Sequence, residues 1–152
     1  MTPITFERTF ADEPVARQLI AELDAGFLKW YSPEHMFGLH PNEERDPALH
    51  FFVIREGNQV VGCGALRVLD KNTGELKRMY VREAFRRRGI SRKLIAHLED
   101  TARSLGIACM RLETGPEQVE ALALYESCGY KYIPPYGEYA GSPVSVCMEK
   151  EL

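Results

Sequence analysis

The chain has 152 residues and a formal net charge of −3, with 45% hydrophobic and 27% charged residues, which is ordinary for one globular domain large enough to hold a real core. No apolar run approaches the ~20 residues a helical membrane span needs. Met1-Thr2-Pro3-Ile4-Thr5-Phe6-Glu7 alternates like a strand and lacks the anatomy of a secretory signal, so the expectation is a cytoplasmic protein.

In chain order, Ile4 to Thr9 reads as a strand. Asp12-Glu13-Pro14 opens a helix, with acidic residues and proline in its first turn. Val15, Leu19, Ile20, Leu23, Phe27 and Leu28 form its apolar face, and Trp30-Tyr31-Ser32-Pro33 ends it. Ser32 to Asp46 is polar and aperiodic, a loop with room for a short helix. His50 to Arg55 is a strand, Gly57-Asn58 a hairpin turn, and Gln59 to Leu69 the partner strand. Glu75 to Val81 alternates as a further strand. After a basic loop, Leu94, Ile95, Leu98, Ala102 and Leu105 recur at helical spacing. Ala108 to Glu113 is a strand, Glu117 to Cys128 a helix and Tyr130 to Ile133 a strand. Pro134 to Ser142 is a Pro/Gly/Tyr loop, and Pro143 to Glu149 closes the chain as a last strand. The order predicts an α/β chain: one mixed, mostly antiparallel sheet flanked by helices, spanning residues 1–152 as a single domain.

Charge is distributed unevenly. Lys77, Arg78, Arg82, Arg86, Arg87, Arg88, Arg92 and Lys93 crowd one segment of an otherwise acidic chain. One basic pocket suits a small polyanion, whereas a nucleic acid needs an extended basic track, here without interleaved aromatic residues. At the centre lies Arg86-Arg87-Arg88-Gly89-Ile90-Ser91, between a strand and a helix. The first N–H groups of a helix have no intrahelical partner, and the macrodipole favours anions there. Gly89 lets the backbone approach an anion without a Cβ in the way, and arginines offer forked donors to phosphate oxygens.

This loop resembles the Arg/Gln-x-x-Gly-x-Gly/Ala acyl-CoA signature of the Gcn5-related N-acetyltransferase (GNAT) superfamily. Arg86 and Gly89 match, and Ser91 replaces the usual small apolar residue. Ala123-Leu124-Tyr125-Glu126-Ser127-Cys128-Gly129-Tyr130 resembles the superfamily's tyrosine-bearing helix that ends at Gly-Tyr. The resemblance implies acetyl-CoA as cofactor, held by the backbone of Met79, Tyr80 and Val81 and by Arg86, Arg87, Arg88, Gly89, Ile90, Ser91 and Arg92. It also implies a splay between the strand before the loop and its neighbour, and a homodimer as the common assembly. The loops around the acceptor, and the closing stretch from Ser142 to Lys150, resemble a bacterial subgroup of small stand-alone acetyltransferases. That subgroup includes a Bacillus enzyme linked to indole-acetate production.

Acetyl transfer to an amine needs a base, an oxyanion donor, an acid for the thiolate and close positioning. The resemblance points Tyr125 at the CoA sulfur, and a phenol near pKa 10 is protonated at neutral pH. Glu75 is the candidate base, with a structural pairing to Lys77 on the same strand face as the competing role. Glu113, at the end of the neighbouring strand, is the other candidate base and a substrate contact. A backbone N–H near Met79 is the expected oxyanion donor. Lys77 and Arg78 fall on opposite faces by strand alternation, so one should face the acceptor and hold a carboxylate or phosphonate. Tyr31, Glu34 and Tyr136 lie in the covering loops, and His40 is placed to touch a substrate. His50 and His97 suit structural roles.

Cys63, Cys109, Cys128 and Cys147 are far apart and read as buried free thiols of a reducing compartment. With the four histidines they show no metal-ligand spacing. The expected function is acetyl transfer from acetyl-CoA to the primary amine of a small, amino-acid-like molecule in a ternary complex, with neither nucleic acid nor membrane as partner. The alternatives are acetylation of a protein or peptide amine and a non-catalytic acyl-CoA sensor.

Overall fold

Strand alternation and helical spacing are realised in the computed structural model, which describes residues 2–152; Met1 lies outside. The elements are β1 (Ile4–Thr9), α1 (Pro14–Phe27), β2 (Leu49–Glu56), β3 (Gln59–Val68), β4 (Thr73–Val81), α2 (Ile90–Ser104), β5 (Cys109–Thr114), α3 (Val119–Ser127), β6 (Lys131–Ile133) and β7 (Val146–Glu151). The strands form one sheet in the order β1-β2-β3-β4-β5-β7-β6. All neighbours are antiparallel except β4 and β5.

Each sheet face buries its own set of alternate residues. Phe51, Val53, Cys63 and Ala65 pack with Ala16 and Leu19 of α1. On the opposite face, Phe52, Ile54, Leu66 and Leu76 pack with Leu94, Ile95 and Leu98 of α2 and with Tyr125 of α3. Helix α1 starts at Pro14, so Asp12 and Glu13 precede it rather than occupying its first turn. They bind Arg45 instead, at 2.6 and 3.3 Å. Leu28, expected on the apolar face, caps the helix and is exposed. The aperiodic stretch after α1 holds two short 3-10 turns, Pro33–His35 and Pro41–Glu43. The closing strand begins at Val146, three residues later than alternation suggested, and runs on to Glu151.

Two departures from regularity make the site. The parallel pairing of β4 with β5 runs only from Thr73↔Cys109 to Leu76↔Leu112. Beyond it the strands part, leaving Lys77–Val81 on one side of a gap and Glu113 and Thr114 on the other. The second is a bulge where β3 meets β4. Ala65 pairs with Lys77 but Cys63 with Tyr80, so β4 carries one extra residue. Arg78 takes up the irregularity with φ of +53°, a conformation disfavoured for a residue with a Cβ.

The bulge overturns the expectation that Lys77 and Arg78 face opposite ways. One inserted residue shifts the two-residue period. Lys77 reaches Gly38 O and Tyr139 Oη, each at 3.3 Å, and Arg78 binds Asp24 of α1. Both therefore lie on the α1 side. Met79 packs into the α2-side core, while Tyr80 turns back to donate to Glu22 of α1 at 3.1 Å.

Candidate active site

The gap opens into a cavity lined by Leu23, Phe27, Tyr31, His35, Met36, Phe37, Lys77, Arg78, Met79, Glu113, Thr114, Gly115, Tyr125, Tyr139 and Val144, with Leu76 at its floor. Of the residues singled out in the sequence, it gathers Tyr125, Glu113, Lys77, Arg78, Met79 and Tyr31. Glu34 is exposed and outside it, with His35 as its neighbour at 3.9 Å. His40 is also outside, between Glu43 and Glu138. Phe27, Met36 and Phe37 were not singled out as contacts. Apolar residues inside a polar aperiodic loop were the available signal for Met36 and Phe37.

Tyr125 is buried in α3, 9% exposed. Its Oη lies 3.8 Å from the Met79 sulfur across the gap, and its ring meets Tyr130 edge-on. Burial, reinforced by the negative potential of Cys128 and Glu113, pushes the phenol up to about 12. It carries its proton at neutral pH. Glu113 sits half-buried at the cavity wall and accepts from Ser145 Oγ at 2.7 Å. Burial raises its carboxyl to about 7, against the Ser145 hydrogen bond and the Lys77 charge, which both lower it. That value suits a base working near neutral pH.

Glu75, the first candidate for the base, is 2% exposed and does not line the cavity. Its Oε2 accepts from Tyr136 Oη and from Tyr139 Oη at 2.9 Å, and its Oε1 faces Lys77 Nζ at 3.8 Å. Both phenols are pushed far up by burial and by the Glu75 charge, so they remain donors. Tyr136, expected to contact substrate, instead fastens the loop between β6 and β7 onto β4. Burial also lowers the two structural histidines, His50 and His97. His97 stacks on Phe6 at 4.3 Å. All four cysteines are free, but only Cys63 and Cys147 are buried.

Tyr31 lines the cavity and links two segments across it. Its Oη accepts the Glu117 N–H at 3.0 Å, tying the end of α1 to the loop after β5. A Cβ built on Gly115 would lie 1.9 Å from that oxygen, so the phenol occupies space that only glycine leaves free. Gly115→Ala is expected to expel Tyr31, raise the acceptor KM several-fold and cost ~1–3 kcal/mol of stability. Steady-state kinetics and thermal melts on the variant check both.

The loop before α2 forms a cradle. Gly89 precedes the helix with φ of +76° and open space where a Cβ would stand, and Arg87 also has positive φ, +64°. Among the described residues, no acceptor binds the backbone N–H groups of Arg87 through Arg92. The arginines contribute less freely than their number suggests. Arg86 Nε donates to Val81 O at 2.8 Å, Arg88 pairs with Glu56 at 3.2 Å, and Arg92 donates to Ser127 Oγ at 2.7 Å. Arg87 is exposed and has no side-chain partner among the described residues. Orphan N–H groups, a glycine turn and a helix start fit a phosphate-bearing group, and the splay beyond Leu76 fits its extended arm.

Residues 16–130 match the model of the Acetyltransferase (GNAT) family. The chain belongs to that family and is an N-acetyltransferase. It is 36% identical over 153 residues to the IAA acetyltransferase of Azospirillum brasilense, covering 100% of both chains. A Klebsiella pneumoniae protein assigned to the acyl-CoA N-acyltransferases superposes with a TM-score of 0.82 at 33% identity, covering 100% of this chain and 98% of its own. A GNAT family acetyltransferase from Elizabethkingia anophelis with acetyl-CoA bound shares the fold at 19% identity and a TM-score of 0.70, covering 98% of each chain. GNAT enzymes draw their acetyl group from acetyl-CoA, so acetyl-CoA is the cofactor of this one. The cradle before α2 and the gap beside Met79 are where its residues would hold it.

Proposed function

We propose that this N-acetyltransferase acetylates the primary amine of a small, amino-acid-like molecule by direct attack within a ternary complex. The observation that carries the reading is the shared cavity of Glu113 and Tyr125, a carboxyl raised to about 7 and a phenol raised to about 12. One group is set to accept a proton near neutral pH and the other to keep one.

Acetyl-CoA supplies the thioester carbonyl. Glu113 takes one proton from the ammonium, freeing the lone pair that forms the N–C bond as the C–S bond breaks. Tyr125 gives its hydroxyl proton to the departing sulfur and recovers the second amine proton. The N–H groups of β4 at the gap, near Met79, supply the oxyanion donor. Tyr31, tied across to Glu117, and the loop fastened by Glu75 cover the acceptor. That enclosure favours a small molecule over a peptide chain.

Free-thiol release from acetyl-CoA, measured with and without amino acids, polyamines and aminoglycosides, tests the reading. Amine-dependent release is expected, with kcat reduced on the order of 10²-fold in Tyr125→Phe. Tight CoA binding without release under any amine would instead favour a sensor or a macromolecular acceptor.

A further inference from the structure

We infer that the acceptor is an α-amino acid with a large apolar side chain, its carboxylate received by Arg78 and its side chain lying among Leu23, Phe27 and Phe37. The inference rests on the acetyl-transfer reading above and narrows its acceptor.

The two cationic side chains Lys77 and Arg78 of the cavity already have carboxylate partners outside its lining. Lys77 stands 3.8 Å from Glu75, and Arg78 is bound to Asp24. Glu113 has no cationic partner among the described residues, so it is the lining carboxylate left to face an ammonium. Arg78 keeps one donor in reserve. Its side chain is 5% exposed, and its buried Nε–H meets no acceptor. A buried donor left without a partner is unfavourable; Arg78 lines the cavity, and a carboxylate that enters it and shifts the packing over the guanidinium would satisfy this N–H with a charge-assisted hydrogen bond. The bulge that turns Arg78 toward α1, at the strain of a positive φ, is what brings this guanidinium to the cavity.

Part of the remaining wall is apolar. Leu23, Phe27, Met36, Phe37 and Val144 line it, with Phe37 held edge-on by Tyr139 at 5.1 Å and Phe27 by Tyr31 at 6.4 Å. A polyamine would set a second ammonium against this wall. An amine without a carboxylate would leave the Arg78 Nε–H unpaired. A zwitterion with an apolar side chain answers all three surfaces at once.

Initial rates of thiol release from acetyl-CoA test this with phenylalanine, leucine, alanine, phenethylamine and spermidine. For the wild-type chain, kcat/KM for phenylalanine or leucine is expected to exceed that for alanine and for phenethylamine by ~10–100-fold. Arg78→Lys keeps a cation beside Asp24 but loses the planar fork. It is expected to lower the phenylalanine-to-phenethylamine ratio about tenfold. Phe27→Ala is expected to lower the phenylalanine-to-alanine ratio about tenfold. Each ratio is taken on one preparation, so a loss of folded protein cancels. Equal rates with and without a carboxylate, a preference for alanine, or a ratio indifferent to Arg78 would overturn the inference while leaving acetyl transfer to small amines in place. No release with any of these amines, from protein that still binds CoA calorimetrically, would remove both.

Discussion

Glu113→Gln is expected to lower kcat/KM for the acceptor by ~10²–10⁴-fold while leaving CoA affinity unchanged. An ammonium has no lone pair, and an alkylamine near pKa 10 is almost wholly protonated at neutral pH. The amide keeps the size of the side chain and an acceptor for Ser145 but removes the base. Wild-type kcat/KM is expected to rise with pH through about 7, where burial sets the Glu113 carboxyl, and the variant should lose that inflection. Stability should move the opposite way. A carboxyl raised from 4.5 to about 7 favours the folded state while protonated, and this contribution is lost as pH rises through about 7. Glu113→Gln should therefore melt higher relative to wild type at pH 8 than at pH 4. Melts at the two pH values, beside a pH–rate profile, separate a base from a residue that only shapes the cavity. A variant that keeps the inflection would return the base role to a water or to another group.

The elements of this fold were legible because each obeys a local rule. Alternation marked β1 and β4, the Gly57-Asn58 turn marked the hairpin of β2 and β3, helical spacing marked α1 and α2, and Gly89 marked the turn into α2. The turn into α2 was legible for the same reason, since its loop is contiguous in the chain. The cavity at the gap between β4 and β5 was not. Arg78 bulges at a positive φ without the glycine that would have signalled it, and that single residue decides which way Lys77, Arg78 and Met79 point. Glu75 and Glu113 look alike in the sequence, each at one end of a neighbouring strand. They differ only in what packs on them: two phenols from a loop about 60 residues away for Glu75, and the serine before β7 for Glu113. Nor does composition show that most arginines of the basic loop are committed to Val81, Glu56 and Ser127. Pairings between distant segments arise from topology, which local patterns do not encode.

Glu75→Gln is expected to act on stability before it acts on chemistry. Glu75 and Lys77 have side chains 2% and 4% exposed, too dry for water to screen an unmatched charge. Removing one partner of such a pair typically costs ~3–5 kcal/mol, because the other charge stays buried and unpaired. For a domain of this size that corresponds to a melting temperature lower by roughly 10 °C. Glutamine can still accept from both Tyr136 and Tyr139 through its carbonyl, but without the charge that strengthens these bonds, so the loop between β6 and β7 should loosen rather than detach. The acceptor KM should rise while kcat at saturation stays within a few-fold of wild type. A base would show the reverse, a collapse of kcat in protein of near-normal stability. Adding Lys77→Met to Glu75→Gln removes the orphan charge and is expected to restore much of the lost melting temperature. If the double variant melts no higher than the single one, the Glu75–Lys77 pairing is not what stabilises this corner, and the two tyrosine hydrogen bonds are.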